Sequence, residues 1–332
     1  MSTVRASTYQ DATGGSNAVF SGVASPPNSM GFRNRILNGG MVIDQRNAGA
    51  SVTGNSGVFP VDRWQTYATQ SSKLTCQRST TAPTGFVNSV IYTSSSAYSV
   101  LTGDYFSTTQ RIEGFNVADL MYGTASAVTT TLSFWVRSSL TGTFGGACHN
   151  NAFNRVYPFS YTISAANTWE FKTVQIVGDT TGTWTTDNSV GLEIGFSLGC
   201  GSSGLGTAGA WAGTSNIFGA TGQVNLVGTN GATFYITGVQ LEAGTVASPF
   251  ERRDYGRELM MCQRYYEVGG GVTLQNNVGR YQTFFFKVSK RSQATITNNR
   301  SVIVAGDRLN YWYQDSNDTV DSVMTFTASA EL

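Results

Sequence analysis

Hydrophobic and polar positions alternate in short runs along most of the chain. In Thr129–Leu140, Leu132, Phe134 and Val136 alternate with Ser133, Trp135 and Arg137. In Val190–Gly199, Leu192, Ile194, Phe196 and Leu198 alternate with Gly191, Glu193, Gly195 and Ser197. A period of two puts one set of side chains on each face of a strand. Trp135 stands out because it interrupts an otherwise polar face. Further strand-like runs are Leu74–Ser79, Val90–Ser96, Val156–Ile163, Thr168–Gly178 and Ala232–Gly244. Turn residues separate them, so the pattern predicts an antiparallel sandwich of jelly-roll type. The Gly-rich stretch after Gly199 predicts a long loop, and loops of that length tend to be functional or mobile.

Outside this region the pattern changes. Residues 1–34 are small and polar and predict an extended N-terminal arm that gains order on a partner. Arg35–Gly49 places Ile36, Leu37, Met41, Val42 and Ile43 around Asn38-Gly39-Gly40, predicting a strand, a tight turn and a second strand. Ser248–Val268 carries Leu259, Cys262, Tyr265 and Tyr266 at helical spacing, with Arg257, Glu258 and Arg264 on another face. It predicts a helix ended by Gly269–Gly271. Runs at 280–288, 301–306, 309–314 and 323–332 predict more strands. The division expected is therefore an arm (1–34), an all-β sandwich (35–252) and a small helix-plus-β (α+β) C-terminal domain (253–332). The aromatic density of that small domain predicts core shared with neighbours, hence an oligomer.

Composition supports strands over helices. Among 332 residues there are 38 Gly, 6 Pro, 15 Tyr, 19 Phe and 6 Trp, with only 12% charged. The formal net charge of +1 comes with no basic block, so neither a nucleic-acid partner nor a charged membrane surface is expected. No apolar run predicts membrane insertion, and the N-terminus lacks a secretory core. Cys76, Cys148, Cys200 and Cys262 are widely spaced and read as buried free thiols made in a reducing cytoplasm.

Several motifs then resemble one family. RILNGGMVIDQRNAG, VDRW, LSFWVRSSLTGTFG, WEFKTVQIVGDTTGTWTTDNSVGLEIGF and ATFYITGVQLEAGTVASPFERRDYGRELMMCQRYYE occur in order. Together with the closing FTASAEL they resemble bacteriophage virion appendage proteins, in tail fibres and tail-associated proteins, over residues 35–332. The sandwich part is similar to carbohydrate-binding modules. The resemblance implies a homotrimer in the virion and contact with the host surface. The composition of residues 1–34 points to attachment to other virion proteins through that arm, and a host-surface glycan is the external partner weighed. A tail fibre or tail appendage is the first reading. A capsid decoration or head-fibre protein and a glycan-degrading tailspike are the alternatives.

No catalytic residue and no cofactor is expected. The single histidine, His149, comes directly after Cys148, and adjacent strand residues face opposite ways. Gly199–Gly204 spells GxGxxG, but the residues after Gly204 are too Gly-rich for the helix a phosphate loop needs. Glycoside hydrolysis needs two carboxylates across a cleft. Asp104, Glu113, Asp119, Glu170, Asp179, Asp187, Glu193 and Glu242 form no cluster in sequence, and Glu170 and Glu193 read as solvent-facing. The turn Asp179–Asn188 has oxygen ligands of the kind Ca²⁺ takes, yet no metal is expected. For glycan contact the candidates are Trp184, Asp187 and Asn188 in one polar loop, and Trp211 and Asn216 in another. The competing reading has both Trp rings covering the ends of the sandwich.

Overall fold

The computed structural model describes residues 32–332 apart from 215, 275–279, 300–303 and 317–321. The expected arm, residues 1–34, lies outside the described residues up to position 31. In chain order the strands are β1 (Val52–Thr53), β2 (Val58–Val61), β3 (Trp64–Ala68), β4 (Leu74–Ser79), β5 (Ser89–Ser94), β6 (Tyr105–Glu113) and β7 (Thr130–Ser138). Then come β8 (Gly142–His149), β9 (Val156–Ile163), β10 (Glu170–Ile176) and β11 (Val190–Cys200). The short β12 (Leu205–Gly206) and β13 (Gly219–Ala220) precede β14 (Thr233–Ala243).

Two six-stranded sheets face each other. The first has the order β1-β4-β5-β14-β7-β10 and the second β2-β3-β6-β11-β8-β9. Pairing within both is antiparallel. This is an all-β sandwich with jelly-roll-like exchange of strands between sheets. The inward set of β11, from Leu192 to Leu198, joins Phe134, Val136, Tyr92, Phe106, Trp64 and Phe234 in one core. All four cysteines are buried and unbridged.

The segment before β1 departs from the expected hairpin. Residues 34–43 form no strand. Asn34 instead reaches β14, where its Oδ1 accepts from Leu241 N and its Nδ2 donates to Val239 O. Arg35 N donates to Leu241 O, and Val239 N to Gly39 O. The Asn38 side chain ties the turn internally, accepting from Ile43 N and donating to Ile43 O and Asp62 O. A side chain at Gly39 would collide with the Val239 carbonyl. The apolar residues of this run are therefore core anchors, not a ladder.

The C-terminal part begins with α1 (Tyr255–Gln263), capped by Asp254, whose Oδ1 accepts from Arg257 N at 2.9 Å. The helix is shorter than its sequence span predicts. Glu258 is also buried rather than surface-facing: it accepts from Asn38 N and meets Arg253. Gly269–Gly271 do not end the helix. They lie inside β15 (Tyr266–Leu274), where a Cβ at Gly269 would strike the Phe326 ring. After β15 come β16 (Arg280–Phe285), β17 (Thr295–Asn298), β18 (Val304–Ala305), β19 (Tyr311–Ser316) and β20 (Ser322–Ser329). They make two three-stranded sheets, β15-β20-β17 and β16-β19-β18.

This part is fastened to the sandwich by charge. Arg264 donates through Nε and NH2 to the buried Glu113 of β6. Glu331 pairs with Arg46 and Arg63. Arg291 donates to the backbone oxygens of Asn188, Ala330 and Glu331.

Candidate functional site

The outer face of the second sheet carries polar and aromatic side chains in rows. Arg111, Glu193 and His149 stand opposite one another on β6, β11 and β8. The next row is Gln65, Thr109, Gly195 and Ala147, and the one after it Tyr67, Ser107 and Ser197. Their inward neighbours Phe106, Ile112, Ile194 and Phe196 fill the core, which is why these residues face out.

Two walls rise from this floor. One is the Gly-rich loop after β11, which lies over the second sheet and includes the parallel pair β12 and β13. Phe218 stacks on Tyr105 at 4.1 Å between ring centroids and 19° between planes. Gln223 Nε2 donates to Ser197 Oγ at 2.6 Å. His149 Nε2 meets Ile217 O at 2.5 Å. A carbonyl only accepts, so Nε2 carries the proton and Nδ1 is bare. Burial holds the His149 pKa below its ordinary value, so the ring stays neutral. Cys148 points the other way into the core, as adjacency in a strand requires. The second wall is the C-terminal segment, whose Leu332 O accepts from Arg111 NH1 at 3.0 Å.

Between the walls is a cleft of about 230 Å³ lined by Tyr67, Tyr105, Ser107, Arg111, Phe153, Glu193, Asn216 and Phe218. Glu193 is only 2% exposed, not solvent-facing as its alternation suggests, because Arg111 and the loop enclose it. Arg111 Nε donates to Glu193 Oε2 at 2.8 Å, and the guanidinium lies 5.5 Å from the Tyr67 ring. Burial raises the Tyr67 phenol pKa, with Glu193 and Tyr105 adding to the effect and Arg111 opposing it. Ser107 Oγ and Thr109 Oγ1 are buried without a hydrogen-bond partner among the described residues. Buried hydroxyls are nearly always paired, so two on successive outward positions mark a place where a ligand or ordered water completes the set. The cleft thus offers aromatic faces, the Ser107 hydroxyl and an internally neutralised ion pair.

Only part of the sequence-derived set reaches it. Asn216, at φ 65°, lines the cleft. Trp184 and Trp211 come together elsewhere, edge to face at 5.4 Å, both against Tyr122. Trp211 also meets Tyr157, and both rings pack on the core. Their indole N–H groups donate to Thr181 O and Val177 O. Trp184 lines a separate hollow of about 190 Å³ with Leu120, Tyr122 and Leu192. Asp187 is exposed; its Oδ1 accepts from Ser189 N, which holds the carboxyl below its ordinary pKa. Asn188 Nδ2 donates to Arg291 O in the C-terminal part. Trp211→Ala is expected to cost about 3 kcal/mol of stability, with the cleft's ligand affinity unchanged within twofold. Urea unfolding and a binding titration check both halves.

Sequence reasoning misses Tyr67, Tyr105, Ser107, Arg111, Phe153 and Phe218. Of the carboxylates weighed for hydrolysis, only Glu193 lines this cleft. Asp104 is held by Thr69, Gln70 and Tyr98, and Asp179 by Arg155. Glu242 is held by Gln240 and Ser248, and Glu113 by Arg264.

No family model and no curated protein matches the chain. Among solved structures it aligns with the enzymatically active domain of tailspike protein 4 of bacteriophage CBA120, at 15% identity and a TM-score of 0.34. That alignment covers 64% of this chain and 21% of the tailspike chain. It also aligns with a family 11 carbohydrate-binding module of Clostridium thermocellum in complex with a mixed-linked tetrasaccharide, at 13% identity, TM-score 0.29, covering 59% and 96% of the two chains. A third match is the N-terminal cellulose-binding domain of Cellulomonas fimi β-1,4-glucanase C, at 12% identity, TM-score 0.27, covering 61% and 99%.

Proposed function

We propose that this protein is a non-enzymatic structural component of a bacteriophage particle, a trimeric tail fibre or tail appendage whose sandwich binds host-surface glycan. The observation that carries the glycan part is the cleft on the second sheet. Sugar rings present apolar faces for stacking and hydroxyls that both donate and accept. Tyr105, Tyr67 and Phe153 supply the first complement, Ser107 and Asn216 the second. Binding without turnover is the chemistry favoured, because the lining holds one carboxylate and Arg111 occupies it. The virion part rests on the ordered motifs between residues 35 and 332 that resemble phage appendage proteins.

Tyr105→Ala removes a ring of the cleft lining and the support of Phe218. It is expected to weaken glycan affinity at least tenfold, about 1.4 kcal/mol, while leaving the melting temperature within a few degrees. Calorimetric titration against a panel of soluble bacterial and plant oligosaccharides checks this. Undiminished affinity in the variant would move the site off this cleft. Labelling the chain on intact particles tests the location, and label on capsomers would overturn the tail reading.

A further inference from the structure

We infer that the cleft selects uncharged glycans and rejects carboxylated ones, and that Glu193 sets this choice through its hold on Arg111. The inference rests on the glycan reading above and adds a charge class to it.

Arg111 is the one cation in the lining and Glu193 the one anion among the described residues. They stand directly opposite on β6 and β11 and are joined by the 2.8 Å bond from Arg111 Nε. Arg111 NH1 is spent on Leu332 O, and the guanidinium carbon lies 5.5 Å from the centroid of the Tyr67 ring. A sugar carboxylate entering the cleft meets a cation whose charge Glu193 already balances. To pair with it fully it must draw Arg111 away from Glu193, leaving a carboxylate that is 2% exposed without its counter-charge. A buried charge stripped of its partner is strongly unfavourable. A carboxylate that leaves the pair intact is instead placed beside Glu193 in a partly dry site, where like charges repel. An aminosugar meets the converse obstacle, since Glu193 is already neutralised.

Neutral groups face no such barrier. Among the described residues, the buried Ser107 Oγ in the lining has no hydrogen-bond partner, and neither has Thr109 Oγ1, two residues further along the same face of β6 and outside the lining. Hydroxyls serve as donor and acceptor alike, which suits sugar hydroxyls and adds no charge. Beside Thr109, β11 carries Gly195, where a Cβ would press on Thr109 Cγ2 at 3.1 Å. The floor is thus kept low beside Thr109.

The test uses the full chain and matched probes: gluco-, galacto-, manno- and xylo-oligosaccharides, each alongside a counterpart carrying C6 carboxylates or uronic acid substituents. Wild-type protein is expected to bind an uncharged member at least tenfold more tightly than its carboxylated counterpart. Its affinity for that neutral member should change less than twofold between about 50 and 500 mM salt, because screening acts on charge pairs and this ligand brings no charge. Glu193→Gln keeps an acceptor for Arg111 Nε and removes the negative charge. It is expected to narrow the neutral-to-acidic ratio at least fivefold by improving the acidic ligand. Equal or tighter wild-type binding of the carboxylated probe overturns the inference, as does an unchanged ratio in a folded Glu193→Gln variant. If that variant does not fold, the wild-type ratio and salt series decide alone. Binding of no probe by the wild type overturns the glycan reading itself, a result distinct from binding with the wrong charge preference.

Discussion

Phe196→Ala is expected to lower the unfolding free energy by about 4 kcal/mol, the middle of the range for removing a buried aromatic ring. Phe196 is fully buried on β11 at the centre of the sandwich. Its ring lies 4.9 Å from Phe134 of the first sheet, 5.9 Å from Phe159 and 6.2 Å from Trp64 of the second, with Tyr161 at 6.5 Å. All four contacts are edge-on or tilted, the arrangement that favours attraction between ring edges and faces. Truncation leaves a hole that rigid strands on both sides cannot close. Phe196→Leu keeps much of the volume and should cost about 1–2 kcal/mol. Urea denaturation followed by tryptophan fluorescence measures both. A loss below about 1 kcal/mol for the alanine variant would mean that the two sheets are not joined through this ring.

Glu113→Ala should have an effect of similar size, about 3–5 kcal/mol, because it strips partners from charged groups instead of opening a cavity. Glu113 accepts from Arg264 Nε at 3.0 Å, Arg264 NH2 at 2.6 Å and Tyr265 Oη at 2.6 Å. Its loss leaves a guanidinium and a buried phenol unpaired at the junction of the sandwich and the C-terminal part. Glu113→Gln retains an acceptor and should cost less than half as much. The pH dependence follows from the same bonds. Burial pushes the Glu113 carboxyl up, but Arg264 and Tyr265 outweigh it and hold the pKa below the ordinary 4.5. A carboxyl lowered in the folded state binds protons more readily when unfolded. Its stabilising contribution is therefore complete above about pH 4.5 and is lost as pH falls through the lower folded value. Wild-type stability should drop across that acid window more steeply than that of Glu113→Gln. Parallel curves for the two proteins would count against this assignment.

The strands legible in the sequence are those with an apolar inward face. Leu192, Ile194, Phe196 and Leu198 announce β11, and Leu74–Ser79 and Val156–Ile163 coincide with β4 and β9. The strand that matters most for the cleft, β6, is not legible. Its inward positions include Thr108 and Gln110, so polarity runs along both faces. Thr108 is nevertheless core, bonded to the Tyr92 hydroxyl, and Gln110 bonds to Leu37 backbone. Alternation cannot tell such satisfied polar residues from a loop. β8 is hidden for a different reason: Gly142, Gly145 and Gly146 leave no alternation to read. Glu193 looks solvent-facing because alternation gives the face of a strand but not what later folds over it. The two tryptophans stand out in the sequence as unusual for polar loops. Their mutual packing depends on residues 184 and 211 meeting around Tyr122, which sequence spacing does not express.

The strand order also decides when this chain can fold. β14 runs between β5 and β7 in the middle of the first sheet, and the hook at Asn34 closes onto the same strand. A nascent chain on the ribosome holds β5 and β7 with their adjoining edges open until Ala243 has been made and has cleared the exit tunnel. β1, β4 and β5 can pair with one another early, but the sheet cannot be completed across β7 until β14 is available. Closure across roughly two hundred residues is slow, and unpaired edges invite association while it is pending. Yield in a heterologous host should therefore respond to slower translation and lower temperature more than to changes in the surface of the finished protein.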